Sequence, residues 1–148
     1  MKKQKARALA LLSGGLDSIL AIKLLQEQGI EVIAVNFTSP FFSGKNAQEA
    51  AKQLKIKLIN VDLGQGKGFH EYLNVINNPK HGYGSAMNPC IDCHIFMLKK
   101  ARELMPKLEA KFIITGDVLN ERPMSQHIGA LKLIEKESRL QGKLLRPL

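Results

Sequence analysis

The sequence predicts an α/β domain built on a parallel five-stranded sheet with helices on both faces. Three observations carry that expectation. Short apolar runs alternate with segments of helical periodicity, the β-α-β-α-β order that gives parallel strands and right-handed crossovers. The first apolar run ends in Ser13-Gly14-Gly15-Leu16-Asp17-Ser18 and passes directly into a helical pattern. The length of 148 residues fits one domain, able to bury roughly 70% of the surface that its unfolded chain exposes.

The elements follow in order. Ala8-Leu9-Ala10-Leu11-Leu12 is continuously apolar, as a strand buried on both faces requires. Behind the glycine turn, Leu16, Ile19, Leu20 and Leu24 recur at helical spacing and turn Lys23, Gln26 and Glu27 outward. Gly29 stands where a left-handed helix exit belongs. Val32 to Phe37 reads as the second strand. Asn46, with Glu49 three residues on, reads as the cap of a helix whose apolar stripe is Ala47, Ala50, Ala51 and Leu54. Lys57 to Leu63 gives the third strand and Phe69 to Ile76 a short helix. Residues 77–89 are rich in turn formers. A helix runs from about Cys90 to Met105 and stops at Pro106. Phe112 to Thr115 is the fourth strand, closed by Gly116-Asp117. A helix over about Ser125 to Glu137 and a fifth strand over Lys143 to Arg146 complete a single domain over 1–148, without repeat or linker.

Composition excludes several classes. Apolar residues make up 45% and charged residues 24%, which excludes wholesale disorder. No apolar run approaches the ~20 residues of a membrane span. The basic start, Met1 to Arg7, precedes an apolar stretch too short for a signal peptide, so the expected location is cytoplasmic. Lys and Arg number 22 against 13 Asp and Glu, a net charge of +9. Such an excess attracts polyanions such as nucleic acid. Lys99, Lys100 and Arg102, with Lys107 and Lys111 behind them, form the densest basic group and the expected RNA contact. Aromatic residues are only 5%, so stacking on bases is not a visible strategy.

The Ser13–Ser18 turn reads as a phosphate cradle. Two glycines let the backbone approach an anion, two serines offer hydroxyls, and the first helical turn aims N–H groups at the ligand. It is neither a Walker A loop nor the dinucleotide fingerprint, whose further residues are missing. The turn resembles the S-G-G-x-D-S loop of the N-type ATP pyrophosphatases, the superfamily that includes GMP synthetase, argininosuccinate synthetase and the tRNA thiolation enzymes. That resemblance implies an adenine nucleotide alpha hydrolase-like, Rossmann-like fold. It also implies an enzyme that cleaves ATP between the α and β phosphates and transfers AMP to a substrate oxygen. Ser13, Gly14, Gly15, Asp17 and Ser18 would bind the pyrophosphate part of ATP, Asp17 close to Mg²⁺. Phe37, Thr38 and Ser39 would line the adenine, and Gly116 would adjoin the nucleotide.

The second half narrows the choice. Asn88-Pro89-Cys90-Ile91-Asp92-Cys93-His94 resembles the segment around the first catalytic cysteine of tRNA 2-thiouridine synthetases, with Cys93 on that cysteine and Cys90 where those enzymes usually carry a carboxylate. Gly116 to His127 resembles thiouridylase-like proteins long labelled tRNA methyltransferases. The implied activity is tRNA thiolation: adenylation of a tRNA uridine, release of pyrophosphate, then sulfur insertion. The implied partners are tRNA, a sulfur donor protein or sulfide, and a helper subunit or second copy. The 2-thiouridine synthetases carry a second cysteine and RNA-gripping regions further downstream, so this chain is expected to be one catalytic domain lacking them.

Cys90 and Cys93 leave three chemistries open. They suit a persulfide, since a helix N-terminus among lysines lowers a thiol pKa. They suit zinc only with two further ligands, such as His81 or His94. They suit an iron–sulfur cluster only with a third cysteine from outside the chain. The C-x-x-C-H string also matches haem attachment, which the lack of an export signal argues against. Two rival functions stand beside thiolation: another ATP pyrophosphatase, whether an ammonia-dependent synthetase or a small-molecule sulfur-transfer enzyme, and a nucleotide-binding domain without turnover. The ammonia users need no thiol, so Cys90 and Cys93 count against them.

Overall fold

The computed structural model describes residues 6–40, 44–81, 90–119, 126 and 128–148, with Cys90 described by its backbone alone. Asn88-Pro89, most of the 120–127 stretch including His127, and the lysines of the first five residues lie outside the described residues.

Five strands pair in parallel in the order β3-β2-β1-β4-β5. They are β1 (Arg7–Leu11), β2 (Glu31–Thr38), β3 (Leu58–Asp62), β4 (Phe112–Ile114) and β5 (Leu144–Leu145). The helices are α1 (Leu16–Glu27), α2 (Lys45–Leu54), α3 (Gly66–Asn77), α4 (Cys90–Leu108) and α5 (Ile128–Glu137). The expected sheet with helices on both faces is therefore what the chain forms. Strand alternation divides the core in two. Leu9, Ile33, Val35, Phe37 and Ile113 pack under α3, α4 and α5. Ala8, Ala10, Leu12, Val32, Ala34 and Ile114 pack under α1 and α2. The second face is built largely of alanine, so its helices lie close to the sheet.

That close packing corrects the expected face of α1. The helix buries Ser18, Ala21, Ile22 and Leu25, while Leu16, Leu20 and Leu24 are exposed, Leu16 by 71%. The rotation is set at the helix start. Ser18 Oγ donates to the Gly15 carbonyl at 3.0 Å and lies 3.3 Å from Ser13 Oγ, so Ser18 faces inward and the leucines are carried outward. The expected Asn46 cap is also corrected. Helix α2 starts at Lys45 behind Gly44, with no side-chain cap, and Asn46 packs against Gly14 instead. Helix α4 continues past Pro106 to Leu108. In a last turn the ring removes a single N–H bond, and the end is closed by Glu109 N–H to Pro106 O (3.3 Å) and Ala110 N–H to Met105 O (2.9 Å).

The order β3-β2-β1-β4-β5 makes the gap between β1 and β4 the point where the winding direction reverses. In open parallel sheets the crevice at the carboxyl ends of such a pair is where ligands bind. The Ser13–Ser18 turn follows β1 and Thr115-Gly116-Asp117 follows β4, so both line that crevice.

Candidate active site

The turn is held open by its own hydrogen bonds. Ser13 Oγ accepts from Gly15 N–H (3.2 Å), and Ile19 N–H returns to Gly15 O (3.2 Å). No side chain caps α1, so the N–H groups of Leu16, Asp17 and Ser18 keep the positive end of the helix uncovered. Gly14 has φ +91°, and a β-carbon there would lie 2.6 Å from the Asn46 backbone; only glycine fits. Gly116 is similarly confined. A β-carbon on it would lie 2.6 Å from Ser18 N and 2.7 Å from the Asp17 carbonyl carbon. Gly116 thus sets the approach of the β4 end to the turn. Asp17 is half-buried and has no ion-pair or hydrogen-bond partner among the described residues. A carboxylate left so beside a phosphate cradle is suited to a divalent cation.

A second cluster begins one residue past Gly116. Asp117 is buried and accepts hydrogen bonds at Oδ2 from Thr115 Oγ1 (2.8 Å) and at Oδ1 from Gln126 Nε2 (3.3 Å). His94 Nε2 lies 3.1 Å from Asp117 Oδ2 and Arg146 Nε 3.7 Å from it. Burial pushes the carboxyl upward, but the hydrogen bonds of His94 and Thr115 and the charges of His94 and Arg146 outweigh it and hold the pKa at about 2. His94 therefore connects the start of α4 to the end of β4, and through Gly116 to the phosphate turn.

Cys93 is half-buried on the first turn of α4 and joins the core beneath that helix. The hydroxyl of Tyr72, a buried residue of α3, hydrogen-bonds both Cys93 and Ser39. Burial, together with the neighbouring Cys93 sulfur, raises the phenol to about 12. The hydroxyl stays protonated at neutral pH and serves as a donor toward the sulfur. Two further contacts anchor the approach to α4: Asp92 accepts the backbone N–H groups of Lys80 (3.2 Å) and His81 (2.9 Å). His81 is itself bound through Nε2 to Glu137 on α5 at 2.8 Å.

The remaining sequence-derived candidates are placed as follows. The Phe37 side chain is buried in the core, so only the backbone at the end of β2 faces the crevice side. Lys100 pairs with Glu71 at 2.6 Å and Glu103 at 3.9 Å, with its ammonium 5.5 Å above the Phe96 ring. Its charge is shared with these two carboxylates and the ring face. Lys99 is exposed. Arg102 donates to Ser138 O at 3.3 Å. Among the described residues no group of three or more His, Cys, Asp or Glu could hold a metal ion. No described helix is long and apolar enough to cross a membrane. Two contacts escaped the sequence reading, Tyr72 with Cys93 and His94 with Asp117. His94 and Asp117 directly follow Cys93 and Gly116, residues it did single out, but a contact across 23 positions leaves no local trace.

The whole described chain, residues 3–148 in the match, fits the family model described as thiamine biosynthesis protein (ThiI). The chain belongs to the ThiI family. It is 29% identical over 131 residues to the tRNA-specific 2-thiouridylase MnmA 3 of Bacteroides fragilis, a match covering 86% of this chain and 35% of that protein. It is 27% identical over 152 residues to a "Probable tRNA sulfurtransferase" of Thermococcus kodakarensis, covering 97% and 37% respectively. The chain thus spans about a third of the length of the curated relatives it matches. Among solved structures it is similar to a 4-thiouridine synthetase–RNA complex with bound ATP, with a TM-score of 0.75 at 22% identity over 97% of this chain and 36% of that one. A protein of Methanocaldococcus jannaschii described as a predicted subunit of tRNA methyltransferase gives 0.67 at 21%, over 97% and 68%. At these identities the structures establish the shared fold.

The Asp117 cluster has a pH signature. Its folded pKa of about 2 lies below the unfolded value of 3.8, so between the two the unfolded chain binds more protons. The contribution to stability is complete above about pH 5 and is lost as the pH falls toward 2. Urea unfolding of the wild type should lose about 1 kcal/mol more between pH 5 and pH 3 than Asp117→Asn does. Parallel pH profiles would show that the His94–Asp117 contact does not bias the carboxyl.

Proposed function

We propose that this domain carries out ATP-dependent tRNA thiolation: it adenylates a uridine of tRNA, releases pyrophosphate, and then directs sulfur to the activated carbon. One observation carries the reading. The phosphate turn and Cys93 lie at the same end of the sheet, joined through Gly116, Asp117 and His94. A family member with an uncovered phosphate turn alone would suit many adenylating enzymes; the half-buried thiol beside it suits sulfur transfer. The relatives named as tRNA-specific thiouridylase and tRNA sulfurtransferase support the same reading.

The chemistry explains why both parts are needed. A uridine carbonyl is a poor electrophile. Its oxygen attacks the α-phosphorus of ATP, the bond to the β-phosphate breaks, and pyrophosphate leaves. Sulfur then forms a bond to the same carbon while the C–O bond to AMP breaks, so one difficult step becomes two easier ones. The N–H groups of residues 16–18, with Ser13 and Ser18, hold the β and γ phosphates, where charge develops on the leaving group. Asp17 would hold Mg²⁺, which supplies charge neutralisation there. Phe37 contributes backbone groups toward adenine, and Gly116 the closeness of the β4 end. Cys93 delivers sulfur in one of two balanced ways, with the Tyr72 hydroxyl stabilising negative charge on it. In the first, it takes the outer sulfur from a donor protein's persulfide and attacks the activated carbon through it as AMP leaves. A second thiol then breaks the S–S bond, leaving a disulfide that an external thiol reduces. In the second, it directs a bound sulfide that attacks the carbon itself as AMP leaves. Cys90 lies one turn earlier on α4 and is the partner thiol that the spacing offers. The described residues give an iron–sulfur cluster or zinc no ligand set, and no step depends on one.

In this reading the domain acts in the cytoplasm, as one part of a larger thiolation enzyme or with a helper subunit, and takes sulfur from a donor protein or sulfide. The test supplies ATP, Mg²⁺, sulfide and tRNA to the purified protein. Pyrophosphate should be released only with tRNA present, and digested tRNA should contain thiolated uridine. Release that is indifferent to tRNA would favour a small-molecule substrate and overturn the assignment.

A further inference from the structure

The end of the sheet opposite the active site carries a second feature. A cleft of about 550 Å³ opens at the amino ends of β4 and β5, and its charged lining is Arg102, Lys111, Arg139 and Lys143. No acidic residue lines it. A neighbouring cleft of about 660 Å³, at the amino ends of β1 and β2, adds Lys57 and Lys107. The two meet at the end of α4, since residues 105, 106 and 110 line the first and 107–109 the second. Glu31, one of the two acids of the second cleft, is already paired with Arg7 at 3.2 Å.

What marks this face is the gathering of cations along one edge of the sheet. Exposed lysines without an acidic partner among the described residues, such as Lys23 and Lys52, also occur on the helices. Lys80, Lys100 and Arg146 each have a carboxylate within 4 Å. Lys57, Lys107, Lys111, Arg139 and Lys143 are exposed, and among the described residues none has an acidic partner. Unpaired cations gathered along one edge repel one another, so their positive potential is available to an external polyanion.

We propose that this amino-end face binds the phosphodiester backbone of the RNA, away from the base that reacts. The inference rests on the reading of tRNA as substrate and adds where the body of that RNA is gripped. The dimensions agree. Arg102 lies nine residues beyond Cys93 on α4, about 14 Å along the axis. The five residues of β1 span about 17 Å between the two ends of the sheet. Both lengths are about half a turn of a nucleic-acid duplex. A duplex arm lying along the domain therefore rests its backbone on the cationic edge while presenting a nearby nucleotide to Cys93. Contacts of this kind carry no sequence information; they set register and affinity.

The experiment measures the dissociation constant of labelled tRNA for the intact protein, without ATP, between 50 and about 200 mM salt. Lys111→Glu/Lys143→Glu should weaken binding more than tenfold at low salt and make the logarithmic salt slope shallower by about 1–2, one increment per lost phosphate contact. Lys23→Glu/Lys52→Glu changes the net charge equally on the exposed sides of α1 and α2 and should leave affinity within about twofold. Equal losses in the two double variants would reduce the effect to net charge and overturn the proposal, as would wild-type affinity in the first. Loss of binding to phosphatidylserine vesicles with tRNA affinity intact would also overturn it and assign the face to a membrane surface. Circular dichroism checks folding. These outcomes are independent of the thiolation assay, whose failure would overturn the substrate assignment instead.

Discussion

Asp17→Ala should lower tRNA-dependent pyrophosphate release by well over ~10²-fold, the usual scale for removing a principal electrostatic element of a reaction site. The residue stands at the positive end of α1, half-buried and without a described partner, so the fold asks nothing of its carboxylate. Circular dichroism and urea unfolding should therefore be almost unchanged. That combination distinguishes a group kept for ligand chemistry from one kept for structure. Wild-type turnover in a folded variant would remove Asp17 from the nucleotide site, and with it the Mg²⁺ assignment.

Cys93→Ser should separate the two halves of the reaction. Adenylation uses the phosphate turn, so pyrophosphate release should remain within a few-fold of wild type. With a persulfide-bearing donor protein as the sulfur source, thiolated uridine should vanish, because a hydroxyl cannot take up and carry the persulfide sulfur. Mass spectrometry of digested tRNA reads the product, and a coupled phosphate assay reads the first step. Full thiolation by the variant would exclude Cys93 as sulfur carrier. Cys90→Ser gives the companion result. If both variants fail alike and bound metal disappears with them, the pair belongs to a cluster completed from elsewhere; if only Cys93 is essential, the persulfide route stands.

The architecture was legible because its signals are local. Apolar runs such as Val32 to Phe37 declare buried strands, and Ser13-Gly14-Gly15 closes β1 where the crevice lies. The stripe Ala47, Ala50, Ala51 and Leu54 is the buried face of α2 as read. The rotation of α1 was not legible. Its leucines offer the larger apolar gain, but an alanine-lined sheet and the inward-facing Ser18 fix a different face. The phosphate turn and Cys93 could be read one by one from short motifs. The Tyr72–Cys93 and His94–Asp117 contacts could not, since they depend on how α3, α4 and β4 are brought together. Lys100 illustrates the same limit: its partner Glu71 sits on another helix, so a count of charges along the chain does not reveal the pair.

Helix exits provide a last instance of hidden local structure. Gly29 ends α1 in the left-handed region, as its sequence announces, but the same turn occurs at Lys55, Glu109 and Arg139, with φ of 56°, 56° and 59°. Each is followed by a bond back to the preceding turn: Ile56 to Ala51, Ala110 to Met105 and Leu140 to Glu135. A side chain held there costs about 1 kcal/mol that glycine avoids. The domain therefore carries a reserve of unrealised thermal tolerance at three surface positions remote from its chemistry. Drawing on it is not equally harmless. Glycine at 109 relieves backbone strain and deletes an acid from the cationic edge, whereas glycine at 139 gains the same relief by discarding an arginine of the cleft. A hardened variant built through the first position should retain its hold on RNA; one built through the second would exchange grip for robustness.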